Sequence, residues 1–461
     1  MSDKHPFTLL PPPDILPEHG EEDERDMSYI GKTLYITGMY QTHDIFGIKR
    51  IDRRRHTYIL GKSGMGKSYL LENIIRADIL NGFGVAVIDP HRDLATKLLA
   101  SIPKERIDDV VYIDPTYTDH PLAFNPFAHV PTEYRQQVAQ GLVEIFRKQF
   151  ASTWSPRIEH LFRFATLAML EYSKGTLYGI MKLLTNPQYR QDVLKELEDI
   201  VIKRFFSVEF AAFSQKYDQE AITPLTNRLG HFFSDPLMRN IFTKSENTID
   251  IHTIMSEGKI LIINTAKGML GEENSALFGS FFLTKIEQAA MARSQIDISK
   301  RKPFYLYVDE FQNVATESFT TLFAESRKYE INITIANQYL SQLPDSLIHA
   351  ILGNVGTMII FRVGGEDAVH MAREFQPLLK SHDFLNLGVG EFYIKMSIDG
   401  KTVPPFSATT LRIDDPPYPE HSTEILEKNF ARYCQQDNNQ TINDDNHEED
   451  VQDMRDLPPP L

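Results

Sequence analysis

Apolar residues along this chain gather in short, nearly uninterrupted runs: Thr33–Thr37, Thr57–Leu60, Val85–Ile88, Val110–Ile113, Ile260–Ile263, Phe304–Val308, Ile331–Ile335, Met358–Phe361 and Glu391–Met396. Runs that stay apolar on both faces predict strands buried in a sheet covered by helices. Helical patterns lie between many of them, so the order predicts an α/β fold with a largely parallel sheet.

One interval breaks the alternation. From Pro126 to Ser234 no strand pattern is convincing, whereas helical stripes follow one another. Val138, Leu142, Ile145, Phe146 and Phe150 mark one stripe, and Ile158, Leu161, Phe162, Ala165 and Ala168 another. Because strand patterns resume afterwards, the interval predicts an all-α subdomain inserted in the α/β domain. The expected division is 1–30 acidic and disordered, 31–125 and 235–420 the two parts of a nucleotide-binding domain, 126–234 the insertion, and 421–461 an acidic disordered tail.

The chain has 461 residues, of which 42% are apolar, enough for a packed core. Its single cysteine, Cys434, excludes a disulfide framework and a cysteine-based zinc site, and fits a reducing cytoplasm. No apolar run approaches the roughly 18 residues that span a bilayer. The net charge of −15 argues at first against nucleic acid. Residues 1–30 hold eight acids against Lys4 and Arg25, and residues 435–461 hold eight against Arg455, which leaves only −2 on residues 31–434. The objection therefore applies to the ends, which read as solubilising or docking tails.

Gly61-Lys62-Ser63-Gly64-Met65-Gly66-Lys67-Ser68 fits the phosphate-loop pattern, with a strand before it and a helix after it carrying Leu71, Ile74, Ile75 and Ile79 on one face. Such a loop folds back so that its N–H groups converge on phosphate at a helix N-terminus. Lys67 would reach the β- and γ-phosphates of ATP, and Ser68 would ligate Mg²⁺. The strand Phe304–Val308 ends in Asp309 and Glu310. Asp309 would support Mg²⁺, and Glu310, turned away by strand alternation, would polarise the attacking water. Gln338 follows the strand Ile331–Ala336 and would meet a γ-phosphate at the same sheet edge. Arg327 is either a surface ion-pair residue or a finger for a neighbouring subunit.

IDPHRDL, the FNP motif at Phe124–Pro126, VDEFQN, ESRKYEINITIANQ and NVGTMIIFRVGGEDA together resemble the TraG/TraD-like type IV secretion coupling proteins, in the HerA and FtsK branch of P-loop ATPases. The resemblance covers roughly residues 48–412. It implies a RecA-like P-loop NTPase core with an all-α insertion, assembled as a hexameric ring that moves DNA. By position it implies nucleotide and Mg²⁺ binding by Lys67 and Ser68, metal support by Asp309, catalysis by Glu310, γ-phosphate sensing by Gln338 and an arginine finger acting in trans at Arg327. Arg362 is a second cation at the subunit boundary or one half of a structural ion pair.

Three departures stand against this pattern. The chain lacks the transmembrane helices with which relatives usually begin, which implies a soluble motor or one recruited to a membrane secretion complex by a separate partner. Arg92 stands where relatives commonly carry glycine, and the acidic tail identifies no partner. For nucleic acid, the run Lys49, Arg50, Arg53, Arg54 and Arg55 either faces DNA or is a solvated edge paired with acids such as Asp52 and Glu105. Lys267–Gly271 is either a pore loop or a plain turn. The function expected is a DNA-translocating ATPase. The alternatives are an ATPase for protein secretion or pilus assembly, a HerA-like DNA-processing motor, and a nucleotide-switched scaffold.

Overall fold

The computed structural model describes residues 6–20, 24–36, 43–128, 130–150, 153–212, 218–412 and 414–434. The strands of the main sheet are β1 (Met27–Thr33), β2 (Ile45–Lys49), β3 (Thr57–Leu60), β4 (Gly84–Asp89), β5 (Val110–Ile113), β6 (Ile260–Asn264), β7 (Phe304–Val308), β8 (Ile331–Asn337), β9 (Thr357–Ile360), β10 (Glu391–Lys395) and β13 (Phe406–Thr410). A separate ribbon pairs β11 (Ser397–Ile398) with β12 (Lys401–Thr402). The sheet runs β2-β1-β13-β10-β9-β3-β8-β7-β4-β6-β5.

From β9 to β5 all neighbours are parallel. Strands β3, β4, β5, β7 and β8 are buried throughout, as uninterrupted apolar runs require when helices cover both faces. Antiparallel pairing carries the sheet on through β10, β13, β1 and β2. The first strand lies at Met27–Thr33, earlier than the apolar run Thr33–Thr37 suggested, and Thr37 is outside the described residues.

Between β5 and β6 every regular element among the described residues is helical. The helix Arg135–Gln149 buries Val138, Leu142, Ile145 and Phe146. The helix Pro156–Glu171 starts where Ser155 accepts from the N–H of Ile158 and Pro156 occupies the first turn, a strong start signal. The helical block runs past residue 234 through the helix Pro236–Phe242. It shares its core with the long helix Lys267–Ala292: the Phe281 ring packs at a tilt against Phe146 and Phe242, and Phe282 against Phe124. Asn125 of the FNP motif pins the base, donating to the carbonyls of Gly175 and Ser245 at 2.8 and 2.9 Å.

Both acidic ends contradict the expectation of disorder over part of their length. Phe7, Leu10 and Leu16 are buried. The Leu10 N–H donates to Ser407 Oγ at 3.1 Å, and Thr8 N–H donates to Asp383 Oδ1 at 2.9 Å. These contacts with β13, Tyr393 and Asp383 offset the ordering entropy that local composition alone does not. In the proposed tail, His421–Tyr433 is a helix. Its Asn429 accepts from the N–H of Tyr112 and donates to the carbonyl of Tyr112, each at 2.8 Å, so a side-chain amide pairs the outer strand β5 as another strand would. Residues 1–5, 21–23 and 435–461 lie outside the described residues. Among those described, no helix is long and apolar enough to cross a membrane.

Candidate nucleotide site

The parallel pairing of β3 with β8 and β9 sets Leu60 beside Asn337 and Ile360, so the loop after β3 begins at the edge where Gln338 and Arg362 also emerge. The Gly61 N–H donates to the Asn337 carbonyl at 3.3 Å, and Lys62 N–H to the Arg362 carbonyl at 2.9 Å. A Cβ on Gly61 would lie 2.6 Å from Phe361 Cβ, and Gly66 has φ +113°, so these two positions require glycine sterically. The helix Lys67–Leu80 follows directly.

Ser63, Gly64, Gly66, Lys67, Ser68 and Tyr69 line a cavity of about 300 Å³ together with His91, Glu310 and Gln338. Gly61, Lys62 and Met65 do not line it; they anchor the loop from behind, Met65 through a hydrogen bond from Gly390 N–H at 3.0 Å. The Lys67 ammonium donates to the carbonyls of Gly61 at 2.7 Å and Lys62 at 3.3 Å. Burial pulls its pKa down, and Glu310 and Asp309 oppose that shift.

The two acids after β7 take different partners. Asp309 Oδ2 accepts from Ser68 Oγ at 2.8 Å. Glu310 accepts from Gln338 Nε2 at 2.7 Å on one oxygen and from Gln312 Nε2 on the other. Strand alternation does not separate them, because β7 ends at Val308. Glu310 has a left-handed backbone, φ 49° and ψ 48°, and that turn aims its carboxylate at Gln338. Arg92 and Ala266, following the adjacent strands β4 and β6, also have positive φ, 70° and 47°. Non-glycine residues in this region store strain of order 1–3 kcal/mol, and here three line one sheet edge. Arg92 is held there by Asp114, 3.7 Å from its Nε.

Burial, and next the neighbouring Glu310, push the Asp309 carboxyl up to about 6. The folded protein thus binds this proton more tightly than the unfolded chain. The stability contributed by the group is present at low pH and is lost as pH rises from about 4 to about 6. Asp309→Asn keeps an acceptor for Ser68 and removes the buried charge, so it is expected to raise the Tm of the ligand-free protein at pH 7.5 by roughly 2–4 °C. Scanning calorimetry checks this, and a lower Tm would contradict it.

Arg327 does not enter this site. It is exposed in the turn Ser326–Tyr329 before β8, about 20 Å along the strand from Gln338. Arg362 is half-buried beside the loop and forms no ion pair among the described residues. The basic run is consumed internally: Arg50 and Arg53 on Asp78, Arg54 on Glu330, Lys49 on Asp399, and Arg55 on the Gly400 carbonyl. Asp52 instead accepts from the N–H groups of Asp399 and Gly400. Lys267–Gly271 is a helical turn broken at Gly271, with Met269 exposed. Sequence reasoning missed His91 and Gln312. Both lie in motifs that carry the resemblance, IDPHRDL and VDEFQN, but nothing local to either residue marks it as a cavity wall or as an amide partner of Glu310.

Residues 19–368 match the family described as type IV secretory system conjugative DNA transfer. No curated protein matches the chain. Among solved structures, the bacterial conjugative coupling protein TrwBdeltaN70, in a trigonal form with sulphate, is 15% identical with a TM-score of 0.60, over 81% of this chain and 90% of that one. TrwB in complex with ADP and Mg²⁺ gives 15% and 0.58, over 80% and 89%. VirB4 of Thermoanaerobacter pseudethanolicus gives 14% and 0.54, over 85% and 97%. These likenesses establish the P-loop NTPase fold, and the match over most of the chain establishes more: it belongs to the type IV secretory system conjugative DNA transfer family.

Proposed function

We propose that this protein hydrolyses ATP with Mg²⁺ in a homo-hexameric ring and uses the energy to move DNA in type IV secretion-like transfer. A separate membrane partner would recruit it to the inner face of the membrane. The observation that carries the reading is Glu310, held by two amides at the wall of the phosphate-loop cavity, next to the Ser68–Asp309 pair.

The residues fit a magnesium nucleotide. Ser68 and Asp309 already converge on one point and offer only oxygen, the donor such a cation takes. Lys67 holds two backbone carbonyls that it can exchange for phosphate oxygens. The bound cation would neutralise charge between the β- and γ-phosphates. Glu310 accepts the proton as the water oxygen bonds to the γ-phosphorus and the bridging bond to the β-phosphate breaks. Gln338 touches both the cavity and Glu310, so it can report whether a γ-phosphate is present. Solved TrwB complexes with ADP and Mg²⁺ and with a non-hydrolysable ATP analogue support the assignment.

Turnover measured at low salt with and without duplex and single-stranded DNA tests the reading. Wild type is expected to be stimulated by DNA, and Lys67→Ala to abolish both rates. Turnover that Lys67→Ala abolishes but DNA leaves unchanged would favour a polypeptide-handling ring. Arg327 stands at the far edge from its own cavity, so the role proposed for it is in a neighbour's site. Mixing inactive Arg327→Ala with inactive Lys67→Ala is expected to restore part of the activity, since some interfaces then pair an intact loop with an intact arginine. No recovery in rings shown to exchange subunits counts against it.

A further inference from the structure

The helical insertion grips the segment that carries Glu310. Glu144, Arg147 and Lys148 share one face of the helix Arg135–Gln149, being three and four residues apart. All three meet residues 312–318. Lys148 Nζ donates to the carbonyls of Gln312 at 2.7 Å, Asn313 at 3.1 Å and Ala315 at 2.7 Å. Glu144 Oε2 accepts from Ser318 N–H at 2.8 Å, and Arg147 pairs with Glu317 at 3.3 Å.

The helix Phe311–Val314 is a single turn, so its last carbonyls have no intrahelical partner. Val314 O accepts from Ser280 Oγ of the long core helix at 3.0 Å, whereas three neighbouring carbonyls converge on Lys148 of the insertion. The side chain is exposed as a whole, and no carboxylate among the described residues pairs with its ammonium, so the contacts of that ammonium are with the turn. Gln312 links the ends of the chain: its carbonyl is held by Lys148 and its amide holds Glu310.

We infer that Lys148 is a positioning residue through which the all-α insertion sets Glu310, so that displacement of the insertion from the sheet changes the rate of hydrolysis. The inference rests on Glu310 being the hydrolytic carboxylate. It gives the insertion a role in the motor: what engages the helices would be felt two residues from the catalytic group.

The test compares Lys148→Met, Lys148→Arg and Glu310→Gln with wild type by kcat, KM, affinity for a non-hydrolysable ATP analogue, and kcat against pH. Lys148→Met is expected to lower kcat about tenfold or more with KM and analogue affinity within about twofold, and Lys148→Arg to recover most of it. The pH profile separates positioning from packing. Desolvation of the ammonium where the carbonyls of the turn close on it lowers the Lys148 pKa to about 8, although the side chain as a whole is exposed. The charged groups on the elements that meet here contact Lys148's neighbours rather than Lys148: Glu144 and Glu287 hold Ser318, and Glu317 and Glu159 pair with Arg147. Glu287, pushed up to about 7 by burial and by Glu144, titrates on the acid side.

Wild-type kcat should therefore fall as pH rises through about 8, and Lys148→Arg, whose guanidinium stays charged, should lose that fall. An inactive Glu310→Gln beside a Lys148→Met enzyme with wild-type kcat would overturn this inference alone. The same holds if the loss is not restored by arginine and the alkaline limb is unmoved. Glu310→Gln as active as wild type would overturn the assignment of Glu310 and this inference with it.

Discussion

Glu310→Gln is expected to lower ATP turnover about 10²–10⁴-fold, the usual contribution of a positioned general base, with nucleotide affinity unchanged. The carboxylate stands in the cavity wall with each oxygen held by an amide donor, Gln338 and Gln312. Glutamine has the same shape but cannot take the proton from water. It also presents an N–H₂ where one of those amides now donates. Gln312 relieves that conflict, because its Oε1 is buried without a partner and a flip of its amide turns a donor into an acceptor. The variant should therefore fold and bind like wild type. Single-turnover hydrolysis and equilibrium binding of the same preparation separate the two effects. Wild-type turnover would remove Glu310 from the mechanism.

Asp78→Ala is expected to cost about 3–5 kcal/mol, a large part of a typical domain's stability. Asp78 is completely buried and receives Arg50, both contacts of Arg53 at 2.8 and 3.0 Å, and the Tyr307 hydroxyl. The two guanidiniums lie against Phe83 and Tyr305, at 4.3 and 4.4 Å from the ring centroids. One carboxylate thereby ties the helix after the phosphate loop, the strand before Asp309 and the segment before β3. Its removal leaves two arginines desolvated without a counter-charge. Lys49→Ala, which breaks an exposed pair with Asp399, should cost below about 1 kcal/mol. Denaturant midpoints of the two variants give the comparison, and a similar small shift for both would refute the buried-cluster argument.

These two sites were not equally legible. Glu310 stands at the end of an apolar strand, next to another acid, and that local pattern is enough to propose it as the hydrolytic carboxylate. Asp78 is one acid in a helix, and Arg50 and Arg53 read as part of a basic surface. Only the fold sets them against each other. The same holds for Lys148, an ordinary charge at the end of an amphipathic helix until the segment 312–315 is brought beneath it.

The sequence by itself determined the parallel core, the helical insertion and the phosphate loop with its partner acids. These rest on short-range rules: side-chain period, glycine at positions that reject a Cβ, and hydroxyl or carboxylate at strand ends. Tertiary structure alone decided the rest. Phe7, Leu10 and Leu16 follow no period, and what orders the segment is tertiary: Phe7 packs on Tyr393 of β10, and Leu10 pairs with Ser407 of β13, 397 residues away in the chain. The helix His421–Tyr433 sits in a stretch too polar to declare itself, and it is fixed by Asn429 pairing an open strand edge. The basic run could be a surface for phosphate or an edge paired with acids, because charge is visible locally, while the partner that neutralises it is not. Whether a charge meets water, a ligand or a buried counter-charge depends on contacts between residues distant in sequence, and folding supplies those contacts.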